Sequence, residues 1–429
     1  ILSASGETKT AVESTHSTAD TADTKTVIDN LVYGYYVVYP LGATDTSTAP
    51  GNETVKSVTS LVNVTDTTVT INMKSNYPTV VKKVNDKNAD DVNIGDTVTY
   101  TLTSKVPDMT GYTSYVFNFK DTLAKGLTFG SITSVKIGDV TINADTDGTK
   151  AENTYTLTTK NNEDGTTEIK IEMNKFLASN ANKAGQEIKV TYTATLNKDA
   201  VTGFDPNTNK ATVEYSNKPG TNEKGESEPS IVDVHTFDFT IFKYYLKDET
   251  QTALANAEFE LYKANTAGNA ADTDAKINIV DEGKGVYRQA TADEAKVTGF
   301  TSAKIVSDDD GKVLVKGLEA GTYYLRETTA PEGYNKLQSD ITVEIKPVYD
   351  TTTGKLTSYS VDYTYNGKTT NGAAITNKTD SPEVAVENKT GAQLPSTGSK
   401  GALMVTLAGI VLFGALTASK AFGKKKANN

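Results

Sequence analysis

Hydrophobic and polar residues alternate with a period of two along most of this chain, and this pattern predicts β-strands. The alternating stretches are rich in β-branched and aromatic residues, and turn-forming residues separate them. Strict alternation indicates antiparallel sheets with one buried face, so we expect an all-β protein built from tandem immunoglobulin-like β-sandwiches. The clearest stretches are 97–102, 115–119, 169–173, 188–192, 237–243, 321–325 and 341–345.

The strand pattern divides the chain into four regions. Residues 1–76 hold strand candidates at 33–39 and 67–71, which are too few to close a sandwich. We therefore interpret this region as the C-terminal part of a truncated N-terminal domain. A polar stretch at 218–230, rich in Gly, Pro and Glu, is typical of a linker. The other regions are a first complete module at 77–232 (linker included), a second module at 233–391 and a C-terminal segment at 392–429.

The C-terminal segment has three consecutive features. The pentapeptide Leu394-Pro395-Ser396-Thr397-Gly398 precedes an apolar run at 402–419, and Lys424-Lys425-Lys426 follows that run. The run is long enough to cross a hydrocarbon core as a transmembrane helix, and the lysines favour the cytoplasmic side. The pentapeptide would then lie outside the cell, next to the membrane. A plain membrane anchor also explains the helix and the lysines, but it leaves the pentapeptide unexplained.

Composition narrows the classes of function. The chain has 429 residues, a net charge of -11, no cysteine and two histidines, His16 and His235, that are far apart. The charge argues against a nucleic-acid partner, and the absence of cysteine excludes disulfides. Two distant histidines make neither a catalytic triad nor a zinc site, so we expect no enzymatic turnover, no metal and no cofactor. The chain begins Ile1-Leu2-Ser3 without an apolar signal segment, and we expect that the start of the exported protein is missing.

Particular motifs resemble those of a known family. Residues 323–334 match the Y-x-L-x-E-T-x-A-P-x-G-Y box of the Cna protein B-type domain throughout. The first module resembles the fimbrial isopeptide-forming domain at 78–84, 121–129 and 209–213. The C-terminal features resemble a cell-wall sorting signal that a sortase cuts between Thr397 and Gly398. From about residue 30 onward, the chain thus resembles a sortase-assembled backbone (major) pilin of Gram-positive bacteria.

The resemblance implies an internal cross-link in each module. In this family a Lys amine attacks an Asn side-chain carbonyl, ammonia leaves, and an isopeptide bond remains. The amine must be neutral, which burial favours, and a buried protonated carboxyl can polarise the carbonyl and move protons. Each bond is expected to join the first strand of a module to its last. The matching residues are Lys82, Asp121 and Asn209 in the first module and Lys243, Glu327 and Asn388 in the second.

Two of these assignments have competitors. Lys83 follows Lys82 on the same strand and faces the opposite side, so only one of the two can point inward. Asn377 competes with Asn388, and the family position shortly before the sorting pentapeptide favours Asn388. For each residue alone the alternative is an ordinary surface side chain. The order Lys, acid, Asn occurs twice, and this repetition favours isopeptide formation.

Backbone pilins also need a lysine that attacks the sortase-bound Thr397 of another subunit. The family supplies it from a V-x-V-Y-P-K motif, and the nearest match here is 69–74, which ends in Lys74. The match departs from the motif because Asn72-Met73 replaces Tyr-Pro and the upstream Trp is absent. Tyr39-Pro40 keeps the dipeptide but is followed by Leu41, which cannot be a nucleophile. Lys74 is therefore our candidate for the linking lysine.

The resemblance implies a structural role on the cell surface. Expected partners are a sortase, neighbouring pilin subunits, peptidoglycan and host surface or matrix proteins, with membrane contact only before sortase cleavage. The expected location is the cell wall or pilus of a Gram-positive bacterium, after export by a signal peptide that this chain lacks. The alternatives are an accessory pilin, a single wall-anchored adhesin, or an enzyme on a wall-anchored stalk. The sequence contains no group of candidate catalytic residues beyond the self-cross-linking ones, so the enzymatic alternative has no support.

Overall fold

The expected all-β architecture is confirmed by the computed structural model of the protein. The strands of the N-terminal region form a three-stranded antiparallel sheet in the order β1-β2-β5, and β3 pairs with β4. These strands are β1 (Leu2–Ser3), β2 (Gly34–Val38), β3 (Thr44–Thr46), β4 (Thr54–Lys56) and β5 (Ser60–Val64). The structure describes residues 2–3, 31–38, 44–46, 54–56, 60–67, 69, 77–109, 111–217 and 220–390.

The first sandwich packs two sheets face to face. One sheet has the order β11-β10-β15-β8-β6, and the other has β12-β13-β14-β9-β16-β18-β7 with β17 attached to β16. The strands of the first half are β6 (Val81–Val84), β7 (Ala89–Asp91), β8 (Thr97–Lys105), β9 (Phe117–Leu123), β10 (Leu127–Ile137), β11 (Val140–Thr141) and β12 (Asn143–Ala144). The second half contains β13 (Thr154–Asn161), β14 (Thr167–Met173), α1 (Phe176–Asn180), β15 (Glu187–Leu196), β16 (Asn207–Ser216), β17 (Lys224–Glu226) and β18 (Ser230–His235).

The second sandwich follows after a single residue, Thr236. Its sheets have the orders β20-β19-β26-β24-β23, with β31 on β19, and β22-β21-β27-β28-β29-β30, with β25 on β21. The first elements are β19 (Phe237–Lys247), β20 (Thr250–Ala253), β21 (Glu258–Ala264), β22 (Ala271–Lys276), β23 (Ile279–Gly283), β24 (Val286–Gln289) and α2 (Ala292–Lys296). The remaining strands are β25 (Ile305–Val306), β26 (Lys312–Leu318), β27 (Gly321–Thr329), β28 (Ile341–Tyr349), β29 (Leu356–Tyr365), β30 (Lys368–Thr370) and β31 (Glu383–Glu387).

Each sandwich has its own core because alternate residues of facing strands point inward. On β15, for example, every second residue from Ile188 to Leu196 is buried, and the intervening residues are more exposed. The same alternation of inward and outward residues also buries a few polar side chains among the apolar ones. These buried polar residues include Lys82, Asp121, Asn209, Lys243, Glu327 and Asn388.

Hydrogen bonds join the two sandwiches at their junction. The carboxylate of Asp91 accepts from the Ala320 backbone N–H at 2.7 Å and from the Tyr349 hydroxyl at 2.9 Å. The Ile94 N–H donates to the Gly317 carbonyl at 3.0 Å. His235 is buried here against Tyr349, and burial lowers its pKa to about 4. The junction is therefore a packed, hydrogen-bonded joint.

The expected linker at 218–230 is corrected by the structure. Residues 224–226 form β17, which pairs with the end of β16, and β18 begins at Ser230. The polar composition of this segment predicted a linker. A short edge strand such as β17 can nevertheless form, because backbone hydrogen bonds to β16 hold it in place and it needs few apolar side chains. β18 also continues across the predicted boundary at 232/233. The predicted transmembrane segment at 402–419 lies outside the described residues, and no helix among those that are described is long and apolar enough to cross a membrane.

Candidate functional site

The six residues with an expected cross-linking role lie in two separate buried clusters, one in each sandwich. Lys82, Asp121 and Asn209 are together in the first, and Lys243, Glu327 and Asn388 are together in the second. All six are at most 2% exposed. Burial of two lysines and two carboxyls requires that they be paired, since an isolated charge is strongly disfavoured in an apolar core.

In the first cluster the strand pattern selects Lys82 over Lys83. Along β6, Lys82 and Val84 point into the core, whereas Lys83 is only half-buried. The Lys83 amine donates to the side chain of Asn88 and takes no part in the cluster. The backbone N–H of Lys82 donates to the Ser230 hydroxyl at 2.9 Å, which ties β6 to the opposite sheet.

A tyrosine hydroxyl lies at the centre of this first cluster. The Lys82 Nζ donates to Asp121 Oδ2 and to the Tyr192 hydroxyl, the latter at 2.7 Å. The Tyr192 hydroxyl donates to Asp121 Oδ2 at 2.7 Å and accepts from Asn209 Nδ2 at 2.7 Å. Asp121 and Asn209 come from the neighbouring strands β9 and β16, and Lys82 and Tyr192 come from the facing sheet.

Burial makes the Lys82 amine a better nucleophile. Loss of hydration lowers the pKa of Lys82 to about 8, although the nearby Asp121 opposes this shift. The amine lies over two aromatic rings, 4.8 Å from the centroid of Tyr100 and 5.1 Å from that of Tyr192. Burial also raises the pKa of both tyrosine hydroxyls, so that they remain protonated. The lowered pKa thus makes the neutral fraction of Lys82 near neutral pH much larger than that of an ordinary lysine.

Three buried oxygens in and beside the first cluster lack a hydrogen-bond partner. They are Asp121 Oδ1, the carbonyl oxygen Oδ1 of Asn209 and the hydroxyl of Tyr100. An unsatisfied buried acceptor costs about 1–3 kcal/mol, and such groups concentrate at reactive sites. If Asp121 takes up the proton of Lys82, its carboxyl becomes a donor while the Asn209 carbonyl needs one.

The second cluster achieves similar contacts without a tyrosine. The Lys243 Nζ donates to Asn388 Oδ1 and lies 3.1 Å from Glu327 Oε1. That same carboxylate oxygen accepts from Asn388 Nδ2 at 2.9 Å. The other oxygen, Glu327 Oε2, accepts from the Leu337 backbone N–H at 2.7 Å. Burial lowers the pKa of Lys243 to about 8, against the opposing effect of Glu327.

The competing Asn377 lies in an exposed turn. Its side chain donates to Asp380 at 2.9 Å and accepts from the Thr379 N–H at 2.9 Å. Asn388, in contrast, is 1% exposed and directly follows β31, which runs parallel to the strand that carries Lys243. The geometry therefore favours Asn388 over Asn377 as the partner of Lys243.

The two clusters connect different parts of their sandwiches. Lys243 and Asn388 belong to neighbouring strands of one sheet, the first and the last strand of the second sandwich. Lys82 and Asn209 belong to facing sheets, and β17 and β18 follow the strand of Asn209. The expectation that both pairs join first to last strand is therefore wrong for the first sandwich. The segment from Lys210 to His235 follows Asn209 in the chain and completes the sandwich.

Sequence reasoning missed Tyr192 and the N–H of Leu337. The parity of β15 could have revealed Tyr192, because it shares an inward face with Ile188 and Val190. No local pattern marks Leu337, which lies in a loop between β27 and β28. Lys74 and the pentapeptide from Leu394 to Gly398 lie outside the described residues.

Two models of protein families match segments of this chain. Residues 94–219 match the model of the Gram-positive pilin backbone subunit 2, Cna-B-like domain. Residues 241–359 match the SpaA model, described as a prealbumin-like fold domain. Both matched segments lie within the two sandwiches, and together they span more than half of the chain. The chain thus contains a domain of the Gram-positive pilin backbone type, followed by a SpaA-type prealbumin-like domain.

One curated relative matches this chain at low sequence identity. The Trypsin-resistant surface T6 protein of Streptococcus pyogenes serotype M6 is 26% identical over 307 residues, which are 68% of this chain and 50% of the relative. The chain thus spans about half the length of that curated relative.

Two of the solved structures with similarity to this chain are described as a major pilin and a backbone pilin. A 35 kDa C-terminal fragment of the major pilin GBS80 of Streptococcus agalactiae is 24% identical, with a TM-score of 0.48, and covers 73% of this chain and 100% of the fragment. The T6 backbone pilin of serotype M6 Streptococcus pyogenes is 19% identical, with a TM-score of 0.46, and covers 75% of this chain and 72% of its own.

Proposed function

We propose that this protein is a structural backbone subunit of a covalently assembled pilus, and that two intramolecular Lys–Asn isopeptide bonds stiffen it. The observation that carries the proposal is the presence of a buried Lys, carboxyl and Asn cluster in each of two pilin-type domains. The bonds are Lys82–Asn209 and Lys243–Asn388. Asp121 and Glu327 assist their formation.

The chemistry begins with transfer of a proton from lysine to the carboxylate. In the second cluster, Lys243 and Glu327 become a neutral amine and a neutral carboxyl, which an apolar core favours over a charged pair. The amine Nζ then attacks Cγ of Asn388. The Nζ–Cγ bond forms, the Cγ–Nδ2 bond breaks, and the amide nitrogen leaves as ammonia.

Proton balance in this reaction needs only the carboxyl. The attacking amine loses one proton, and the leaving amide nitrogen gains one. Glu327 Oε1 lies within hydrogen-bond reach of both nitrogens, so one oxygen can deliver a proton to Asn388 Nδ2 and accept one from Lys243 Nζ. Each bond forms once per molecule, so the protein acts on itself and performs no turnover.

Polymerisation requires two further groups, which the sequence motifs supply. A sortase cleaves between Thr397 and Gly398 and holds the Thr397 carbonyl as an acyl-enzyme. Lys74 of the neighbouring subunit then attacks that carbonyl, so each subunit is joined covalently to the next. The basal subunit is instead attached to peptidoglycan. The protein is exported and passes through a membrane-anchored stage before cleavage, and the pilus reaches towards host surfaces.

Intact mass of the full chain tests the internal bonds. The mass should be lower than that of the sequence by two ammonia molecules, and Lys82→Ala or Lys243→Ala should each restore one. Lys83→Ala is the matched control, because Lys83 neighbours Lys82 and contacts Asn88 instead. A wild-type mass equal to that of the unmodified chain would contradict the proposal.

Extracts of the cell wall test whether the subunits are joined covalently into a polymer. Cells that carry the wild-type protein should show high-molecular-weight ladders that resist boiling in detergent, and Lys74→Ala should abolish them. Lys368→Ala, in an exposed edge strand, is the control and should leave the ladders unchanged. Ladders that persist in Lys74→Ala would assign the linking role to another lysine. A single wall-attached band in the wild type would instead favour an accessory pilin or an adhesin.

A further inference from the structure

We propose that Tyr192 is a catalytic residue of the first cluster, whose hydroxyl relays a proton from the Asp121 carboxyl to the departing Asn209 amide nitrogen. This inference rests on the proposed isopeptide chemistry and deepens it. It also implies that the two sandwiches use different proton paths to make the same bond.

The contacts of the hydroxyl support this role. It lies 2.7 Å from the Lys82 Nζ, 2.7 Å from Asn209 Nδ2 and 2.7 Å from Asp121 Oδ2. It therefore touches the nucleophile, the leaving group and the carboxyl at hydrogen-bond distance. A general acid or base has to be within such a distance of the proton that it transfers.

Comparison of the two clusters explains why the first needs a hydroxyl. In the second cluster, Glu327 Oε1 lies 3.1 Å from the lysine nitrogen and 2.9 Å from the asparagine Nδ2, so one carboxyl oxygen serves both. In the first cluster the acid is Asp121, whose side chain is one methylene shorter. The hydrogen bonds of Asn209 Nδ2 in the described structure lead to Tyr192, and through it to Asp121. The hydroxyl thus extends the reach of the shorter acid.

The tyrosine ring is held firmly in place. Tyr192 is fully buried and stacks on Tyr100, with centroids 5.2 Å apart and an interplanar angle of 26°. The two tyrosines face each other on the paired strands β15 and β8. Phe129 packs on Tyr192 as well, at a centroid distance of 5.8 Å. A fixed and fully buried ring keeps the hydroxyl aligned with its three partners.

The proton steps balance without an external reactant. Asp121 first takes a proton from Lys82, which leaves a neutral amine and a neutral carboxyl. The amine attacks Asn209 Cγ, the carboxyl donates to the Tyr192 oxygen, and the hydroxyl passes its own proton to Nδ2. As ammonia leaves, the remaining excess proton of Nζ passes to the Asp121 carboxylate. The hydroxyl and the carboxyl end in the neutral forms in which they began.

The test follows both bonds during cell-free synthesis of the full chain, with samples quenched in denaturant and analysed by peptide mass spectrometry. Tyr192→Phe should slow the Lys82–Asn209 bond about 10²-fold, a size typical of general acid–base catalysis, and should leave Lys243–Asn388 unaffected. Tyr215→Phe is the matched control, because Tyr215 is buried on the same strand as Asn209 and its ring packs against Tyr77 instead. Equal rates of the first bond in the wild type and Tyr192→Phe would overturn the inference.

Two further variants separate catalysis from packing. Adding Asp121→Glu to Tyr192→Phe should restore part of the rate, because the longer acid reaches Nδ2 as Glu327 does in the second cluster. Loss of packing alone would not be rescued in this way. If Tyr192→Phe fails to fold, site-specific 3-fluorotyrosine at position 192 keeps the ring and changes the acidity of the hydroxyl. It should change the rate of the first bond several-fold, and an unchanged rate would overturn the relay.

The experiment also distinguishes this inference from the function on which it rests. A wild-type chain that forms neither bond would refute the isopeptide proposal itself. A wild-type chain that forms both bonds, with Tyr192→Phe forming the first at the same rate, would refute only the relay.

Discussion

Replacement of Asn388 by Ala should remove the cross-link of the second sandwich and destabilise that sandwich strongly. Lys243 and Asn388 are 145 residues apart in the chain, so their bond closes a loop that contains nearly the whole sandwich. The loop-closure relation for covalent cross-links assigns about 5 kcal/mol to a loop of this size. For a domain of this length, such a loss lowers the melting temperature by roughly 10–20 °C.

Differential scanning calorimetry is the appropriate assay because it resolves the two sandwiches as separate transitions if they melt independently. The intact mass of Asn388→Ala should lie one ammonia molecule below its own sequence mass, against two for the wild type, and the transition of the second sandwich should shift downward. Asn377→Ala is the matched control, since Asn377 is exposed and bonded only within its own turn. The reasoning fails if the mass of Asn388→Ala still lies two ammonia molecules below its own sequence mass, or if Asn377→Ala and Asn388→Ala melt alike.

Two other predictions follow from the described contacts. In Asn388→Ala the Lys243 amine stays free. Burial lowers its pKa from an ordinary 10.5 to about 8 in the folded protein. Between pH 8 and 10.5 the unfolded chain therefore binds more protons than the folded chain, so stability rises with pH. The melting temperature of this variant should therefore rise relative to the wild type as the pH increases from 8 to 10.5, and parallel curves would contradict this. Gly95→Ala should destabilise the joint more than Gly299→Ala in thermal melts, although both have positive φ (96° and 89°). An added Cβ at Gly95 would lie 2.8 Å from the Thr291 Cα, whereas Gly299 faces open space, so equal effects would refute the steric argument.

The fold could be predicted from the sequence because inward and outward residues alternate so regularly. That alternation also showed that only one of Lys82 and Lys83 could face the core, and the family spacing favoured Lys82. The alternation could not place β17, because a short polar edge strand is held by backbone pairing with β16, which no side-chain pattern reports. The alternation predicts that Tyr192 faces inward, but its role depends on its contacts with Asp121 and Asn209 on the facing sheet. Proximity across facing sheets is a tertiary property and leaves no mark on local sequence.

The position of Asn209 has a consequence for the behaviour of the subunit under tension. With both bonds formed, force enters the first sandwich through Lys82 and leaves through Thr236, so residues 83–208 are shielded. Residues 210–235 are not shielded, and Asn209 lies opposite Val232, in the middle of the antiparallel pair β16–β18, whose open end is Asn207 opposite Val234. Pulling there separates the two strands one rung at a time. Their release would lengthen each subunit by roughly 90 Å at about 3.3–3.6 Å per residue. A pilus of such subunits could extend under sudden load and recover without breaking any covalent bond.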